Sequence, residues 1–166
     1  LSFSPWVNLL LADVVATIFV FAISVILKNA SVYDPYWSVQ PIVIIGYLAI
    51  IKPLNFSRFI VLLVILYWGT RLTANWAYTF MGLDHQDWRY TMLKEKTGKI
   101  YPLINFLGIH MFPTLVVYFC VLPAVYVFLF EIEFNAFSFL GFALSITATT
   151  IQLFADIEMQ SFRKKI

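Results

Sequence analysis

The chain has 166 residues, of which 61% are hydrophobic and only 12% charged, with a formal net charge of +2. Its mean hydropathy of +0.85 lies far outside the range of soluble domains. These values exclude a water-soluble globular enzyme, a nucleic-acid binder held by basic charge and, with Cys120 as the single cysteine, an intrachain disulfide framework.

Five apolar stretches follow in chain order. They predict an all-α, polytopic transmembrane helix bundle of about five helices, a single membrane-embedded domain over 1–166. The first, at 7–27, carries Asp13, Thr17 and Ser24 on one helical face, an inward-facing polar seam rather than a catalytic one. Its acid and its short polar lead make it a poor signal peptide. The second, at 36–51, is short, opens with Pro41, and spans only if Tyr36 to Val39 are counted with it.

The third stretch, at 59–80, puts Tyr67, Arg71, Asn75 and Tyr78 at i, i+4, i+8 and i+11, on one helical face. Arg71 lies nine residues short of that stretch's end. Four residues in register favour a lined cavity there over a side chain that merely snorkels to the interface. The fourth, at 103–130, is over-long and holds Pro113 and Pro123, which predicts a kink or a tilt. Cys120 within it reads as a small core residue.

The fifth, at 137–155, runs on into QLFADIEMQSFRKKI and aligns Gln152, Asp156 and Arg163, with Thr149 and Ser145 extending the line backward. Asp156 and Arg163 stand roughly 10 Å apart along the axis, too far to pair comfortably with each other. They suit a longer ligand such as a nucleotide, the carboxylate accepting from ribose hydroxyls or an amide and the guanidinium forking a phosphate. The competing reading is a helix end entering water beside a topogenic basic cluster.

If all five stretches cross, one side of the membrane holds Lys28, Arg89, Lys94, Lys96, Lys99, Arg163, Lys164 and Lys165, against Lys52 and Arg58 on the other. This bias predicts an outside or lumenal N-terminus and a cytoplasmic C-terminal end. The membrane would be the endoplasmic reticulum in a eukaryote or the inner membrane in a bacterium. Tyr33, Tyr36, Trp37, Trp76, Trp88, Tyr90 and Tyr101 are expected as interfacial anchors. The one substantial polar loop, about 84–101, is expected on the cytoplasmic side. Its Asp84, His85 and Asp87 lack metal-ligand spacing, and His110 starts a different helix, so neither a metal site nor a hydrolytic triad is expected. The chain opens on Leu1 rather than Met and stops at Ile166 just after a basic cluster, and both ends are expected to be cut.

Four motifs, VYDPYWSVQP, WGTRLTANW, HQDWRY and QLFADIEMQSFRK, occur in an order and spacing that resemble the steroid 5-alpha-reductase family of membrane reductases, most of all its microbial and protist branch. The resemblance covers nearly the whole chain. It implies hydride transfer from NADPH to the carbon–carbon double bond of an α,β-unsaturated, lipid or steroid-like substrate. By the same resemblance Gln152, Asp156 and Arg163 would contact the cofactor, Arg71 would line its cavity and Arg89 would sit on the phosphate side.

Tyr67 and Tyr36, with Gln40 behind them, are the candidate donors to the substrate carbonyl. Two departures bear on that carbonyl. The family's Gln-Glu pair is replaced by Val39, Gln40 and Pro41 with no acid, and Trp68 stands where a Tyr is expected three residues before Arg71. The family's closing segment over NADPH is not represented, which implies the N-terminal, substrate-side portion of such an enzyme, inactive alone. Two rivals stand beside this reading. One is an S-adenosylmethionine-dependent methyltransferase of the isoprenylcysteine carboxyl type. The other is a non-enzymatic membrane scaffold or transporter subunit in which Arg71 and Asp156 simply pair between helices.

Overall fold

Pro5 opens the first helix, α1 (Pro5–Ile26), at the position where a missing N–H removes no helical hydrogen bond. The computed structural model describes residues 4–165, and no strand occurs among them. α1 ends in a Schellman pattern: the Asn29 amide donates to the Ser24 carbonyl at 3.0 Å and the Lys28 amide to Val25 at 3.2 Å. Lys28 takes the left-handed position, φ 54°, that glycine usually fills. A 3₁₀ turn at Ala30–Tyr33 then leads into α2 (Tyr36–Ile51), followed by α3 (Phe56–Thr79), the short helices α4 (Trp88–Thr97) and α5 (Tyr101–Ile104), then α6 (Phe112–Leu129) and α7 (Ala136–Arg163).

Five helical runs, Pro5–Ile26, Ala30–Ile51, Phe56–Thr79, Trp88–Leu129 and Ala136–Arg163, are long and apolar enough to cross a membrane, and the chain is an integral multi-pass membrane protein. α1 shows the inverted pattern this solvent demands. Asp13, Thr17 and Ser24 are buried, as the polar seam required, whereas Phe19 is 67% exposed. Lipid accepts apolar surface, so the packed face is free to be polar.

The described chain packs as two compact units. The first gathers the chain through Pro41 with Thr79–Leu122; the second takes Ile42–Tyr78 with the chain from Pro123 onward. In the first, Tyr33, Ile109 and Tyr118 are buried beside the seam; in the second, Ile45, Leu48, Val125 and Phe128 form the apolar core. Arg58, also buried in the second unit, donates to the Pro53 carbonyl at 2.8 Å and to Val127 and Phe130 at 3.4 Å each. A cation at the C-terminal carbonyls of α6 satisfies groups that the helix leaves open and opposes its dipole.

Several expectations need correction. Pro41 does not open α2; it sits inside a helix that begins at Tyr36. The long fourth stretch, expected only to kink or tilt, carries a π-helical run at Asn105–Met111 just before Pro113, while Pro123 sits inside α6. Proline cannot donate to the carbonyl four residues back, and a widened turn redistributes those carbonyls. The polar loop is largely helical: Asp87 accepts from the Arg89 amide at 2.8 Å and caps α4. Cys120 is exposed rather than in the core, since a small apolar side chain is equally at home against lipid. Tyr33 is 1% exposed, so its ring is packed inside the protein and is not an interfacial anchor.

Candidate functional site

Both units place their polar side chains in lines between apolar helices. In the second unit, α3 and α7 run in the same direction and are joined rung by rung. The Tyr67 hydroxyl meets that of Thr150 at 3.1 Å, Arg71 Nη1 donates to Asp156 Oδ2 at 2.5 Å, and Gln160 Nε2 donates to Asn75 Oδ1 at 2.8 Å. Lys164 Nζ lies over the Tyr78 ring, 5.5 Å from its centre. The helical face read at Tyr67, Arg71, Asn75 and Tyr78 is therefore real: the first three have partners on α7, and Tyr78 meets Lys164 at the C-terminal cap of that helix.

The ion pair is well shielded, with side-chain exposures of 7% for Arg71 and 24% for Asp156. Arg71 Nε is buried without a partner, so one donor of its fork remains uncommitted. Asp156 is thus already gripped by Arg71. The packed stripe of α7 runs through Thr149, Leu153, Asp156 and Gln160, which leaves Gln152 and Arg163 exposed. α7 has 28 residues, about 42 Å of helix, so its last turns extend past an apolar core of ~30 Å and can carry Arg163 into the headgroup zone.

In the first unit, two of the sequence candidates converge on Asp13 of α1. The Tyr36 hydroxyl donates to Asp13 Oδ1 at 2.6 Å, and Gln40 Nε2 donates to Asp13 Oδ2. The second helix has no acid beside Gln40; the first helix supplies one. A hydroxyl cluster adjoins it, with Thr114 Oγ1 2.8 Å from both Thr17 Oγ1 and Tyr33 Oη, and donating to the His110 carbonyl at 2.9 Å. His110 is fully buried. Its Nδ1 lies 3.0 Å from the Asn105 carbonyl, an acceptor only, so Nδ1 carries the proton and the unpartnered Nε2 is an acceptor.

At one end of this unit residues 29–34 and 83–90 are stitched together, a clasp that joins the motifs VYDPYWSVQP and HQDWRY through Tyr90 and Asp34. Asn29 Nδ2 donates to the Leu83 and His85 carbonyls, the Asp87 amide donates to Ser31 Oγ at 2.9 Å, and the Tyr90 hydroxyl donates to Asp34 at 2.6 Å. Arg89 forks Asp87 from an exposed position, at 2.9 and 2.8 Å. That guanidinium holds the Asp87 carboxyl below the usual carboxylate range. The Tyr78 hydroxyl beside Lys164 holds that ammonium above its usual value. Among the described residues no group of three His, Cys, Asp or Glu is placed to hold a metal ion.

Sequence reasoning missed Gln160 and Thr150 on α7 and the role of Asp13. A polar residue four positions either side of Asp156 lies on nearly the same face, so periodicity could not choose Gln160 over Gln152. Asp13 was detectable in principle, because a carboxylate at lipid depth needs donors and Tyr36 and Gln40 follow it closely.

Fold and clusters define an integral, multi-pass α-helical membrane protein that keeps charged and amide side chains paired between apolar helices. Residues 20–166 match the family described as "Protein of unknown function (DUF1295)", and the chain belongs to that family. No curated protein and no solved structure matches the chain.

Proposed function

We propose that this protein belongs to a membrane-embedded, NADPH-dependent reductase of the steroid 5-alpha-reductase-like kind, acting on the carbon–carbon double bond of an α,β-unsaturated lipid. One observation carries the reading. The four motifs behind the resemblance pair off in space, VYDPYWSVQP with HQDWRY through the Tyr90–Asp34 bond in one unit and WGTRLTANW with QLFADIEMQSFRK in the other. Polar residues kept at such cost within apolar helices mark functional interiors more often than scaffolding.

The residues present fit a dinucleotide in part. Arg163 is exposed and offers a full fork to a phosphate, and Arg71 keeps an uncommitted Nε while it anchors Asp156. Gln152 is exposed on the adjoining strip of α7, whereas the fork of Arg89, in the other unit, is occupied by Asp87. When bound, the dinucleotide would supply the hydride. The chain's share is to hold the ligands, exclude water and donate to the developing oxyanion. Tyr67 and Tyr36 remain the candidate donors; the Tyr36 proton is given to Asp13 in this structure, so a substrate oxygen would have to take that carboxylate's place.

The non-enzymatic reading has one specific observation in its favour, the closed Arg71–Asp156 pair. Deuterium transfer separates the two. The intact protein, given NADPH deuterated at nicotinamide C4 and a conjugated enone lipid, should return a saturated product one mass unit heavier. No labelled product across a panel of enone lipids would favour the scaffold. The basic bias further suggests that the α3 and α7 C-terminal ends face the cytoplasm.

A further inference from the structure

The run Trp88–Leu129 has 42 residues, about twice what a crossing needs, so its leading part lies outside the apolar core. That leading part is α4 with the 3₁₀ turn Gly98–Ile100, and Gly98 at φ 52° lets the chain change course there. α4 packs inward through Tyr90, Leu93 and Thr97. On its other side Trp88 and Met92, one turn apart, form an apolar ridge 69% and 38% exposed, bordered on one side by Arg89 and Lys96 and on the other by Thr91 and Glu95. Ile100 and Leu103 continue the apolar surface. Lys94, Lys96 and Lys99 are exposed beside it with Glu95 as the one acid among them, and Lys94 Nζ sits 5.9 Å from the Tyr101 ring centre.

We infer that α4 lies in the membrane interface, with Trp88 and Met92 among the upper acyl chains and Lys94, Lys96 and Lys99 on the headgroups of anionic phospholipids. Three features favour this occupant over a protein partner. The helix is covalently continuous with a membrane crossing, its ridge is only two side chains wide, and its exposed charge is mostly positive. Arg89 is largely neutralised by Asp87, so the three lysines carry the attraction. The clasp from Asn29 and Ser31 to residues 83–87 fixes the approach of the chain to α4, so the helix is presented in one orientation.

The inference is independent of the reductase reading and is tested without any activity. In a Cys120→Ser background, Met92→Cys is spin-labelled and the protein placed in nanodiscs of phosphatidylcholine with or without phosphatidylglycerol. The label should collide with oxygen in preference to a water-soluble nickel chelate, and brominated phosphatidylglycerol should quench Trp88 fluorescence, taken against Trp88→Phe, more than brominated phosphatidylcholine. Each lysine near an anionic surface is worth about a fivefold preference, so Lys94→Gln/Lys96→Gln/Lys99→Gln should erase the lipid selectivity and the Lys→Arg triple variant should keep it. Raised salt should weaken it in the parent protein. A label freely reached by the nickel chelate in both nanodiscs, or selectivity unchanged in the glutamine variant, overturns the proposal.

Discussion

Replacing Arg71 by leucine leaves Asp156 without its cation between α3 and α7, and the outcome can be worked from the pair's burial. Removing one partner of a buried pair typically costs about 3–5 kcal/mol. Asp156 is 24% exposed and can recruit headgroup water, so Arg71→Leu should cost about 3 kcal/mol, at the lower end of that range. Arg71 is 7% exposed and less able to find a substitute, so Asp156→Leu should cost more, about 4 kcal/mol. The double variant removes both charges and should lie within roughly 1 kcal/mol of the parent, giving a coupling of about 6–8 kcal/mol. Reversible unfolding in mixed micelles, monitored by circular dichroism, reads all four corners of the cycle. Additive single effects would show that the two side chains do not act as a pair, and the α3–α7 account would fail. The double variant is also informative about function: it should be folded yet devoid of reductase activity, whereas a scaffold would keep its role.

Lys28 holds a left-handed conformation that costs a side-chain-bearing residue about 1–2 kcal/mol. Lys28→Gly should therefore raise the melting temperature, and a fall would indicate that the lysine side chain matters more than its backbone. Asp87 has its carboxyl depressed by Arg89, so the contact stabilises above the unfolded value near pH ~4 and fades as pH falls through the folded value. The destabilisation caused by Asp87→Asn should be constant from pH 5 to 8 and vanish in acid, where a persistent difference would contradict the ion-pair assignment. Glycosylation-acceptor tags should stay unmodified in the loop holding α4 and be modified near Asn135; the reverse pattern refutes a cytoplasmic basic side.

Helix periodicity carried much of this structure because lipid punishes unpaired polar groups, so polar residues in register announce a packed face. Tyr67, Arg71, Asn75 and Tyr78 illustrate the point: their line was readable, and their contacts to α7 follow from it. Partners were not readable, because spacing along one helix says nothing of which helix lies opposite. Asp156 therefore read as free to grip a ligand, its pairing with Arg71 entering only through the scaffold alternative, and Tyr33 read as an interfacial ring although its hydroxyl is spoken for by Thr114. The π-helical run before Pro113 was foreshadowed only as a kink, since proline marks where an α-helix must adapt but not how.

The measurement that tests the central claim most directly is a binding titration of the intact protein in detergent with NADPH, NADH and S-adenosylmethionine, repeated on Arg163→Ala. Arg163 is exposed, so its removal leaves the α3–α7 contacts in place and isolates the cofactor role. A charge-assisted hydrogen bond is worth about 1.5–3 kcal/mol, so the account predicts NADPH binding that weakens ten- to a hundredfold in the variant, with a flatter salt dependence. Binding of S-adenosylmethionine in preference, or no NADPH binding by the parent protein, would contradict it.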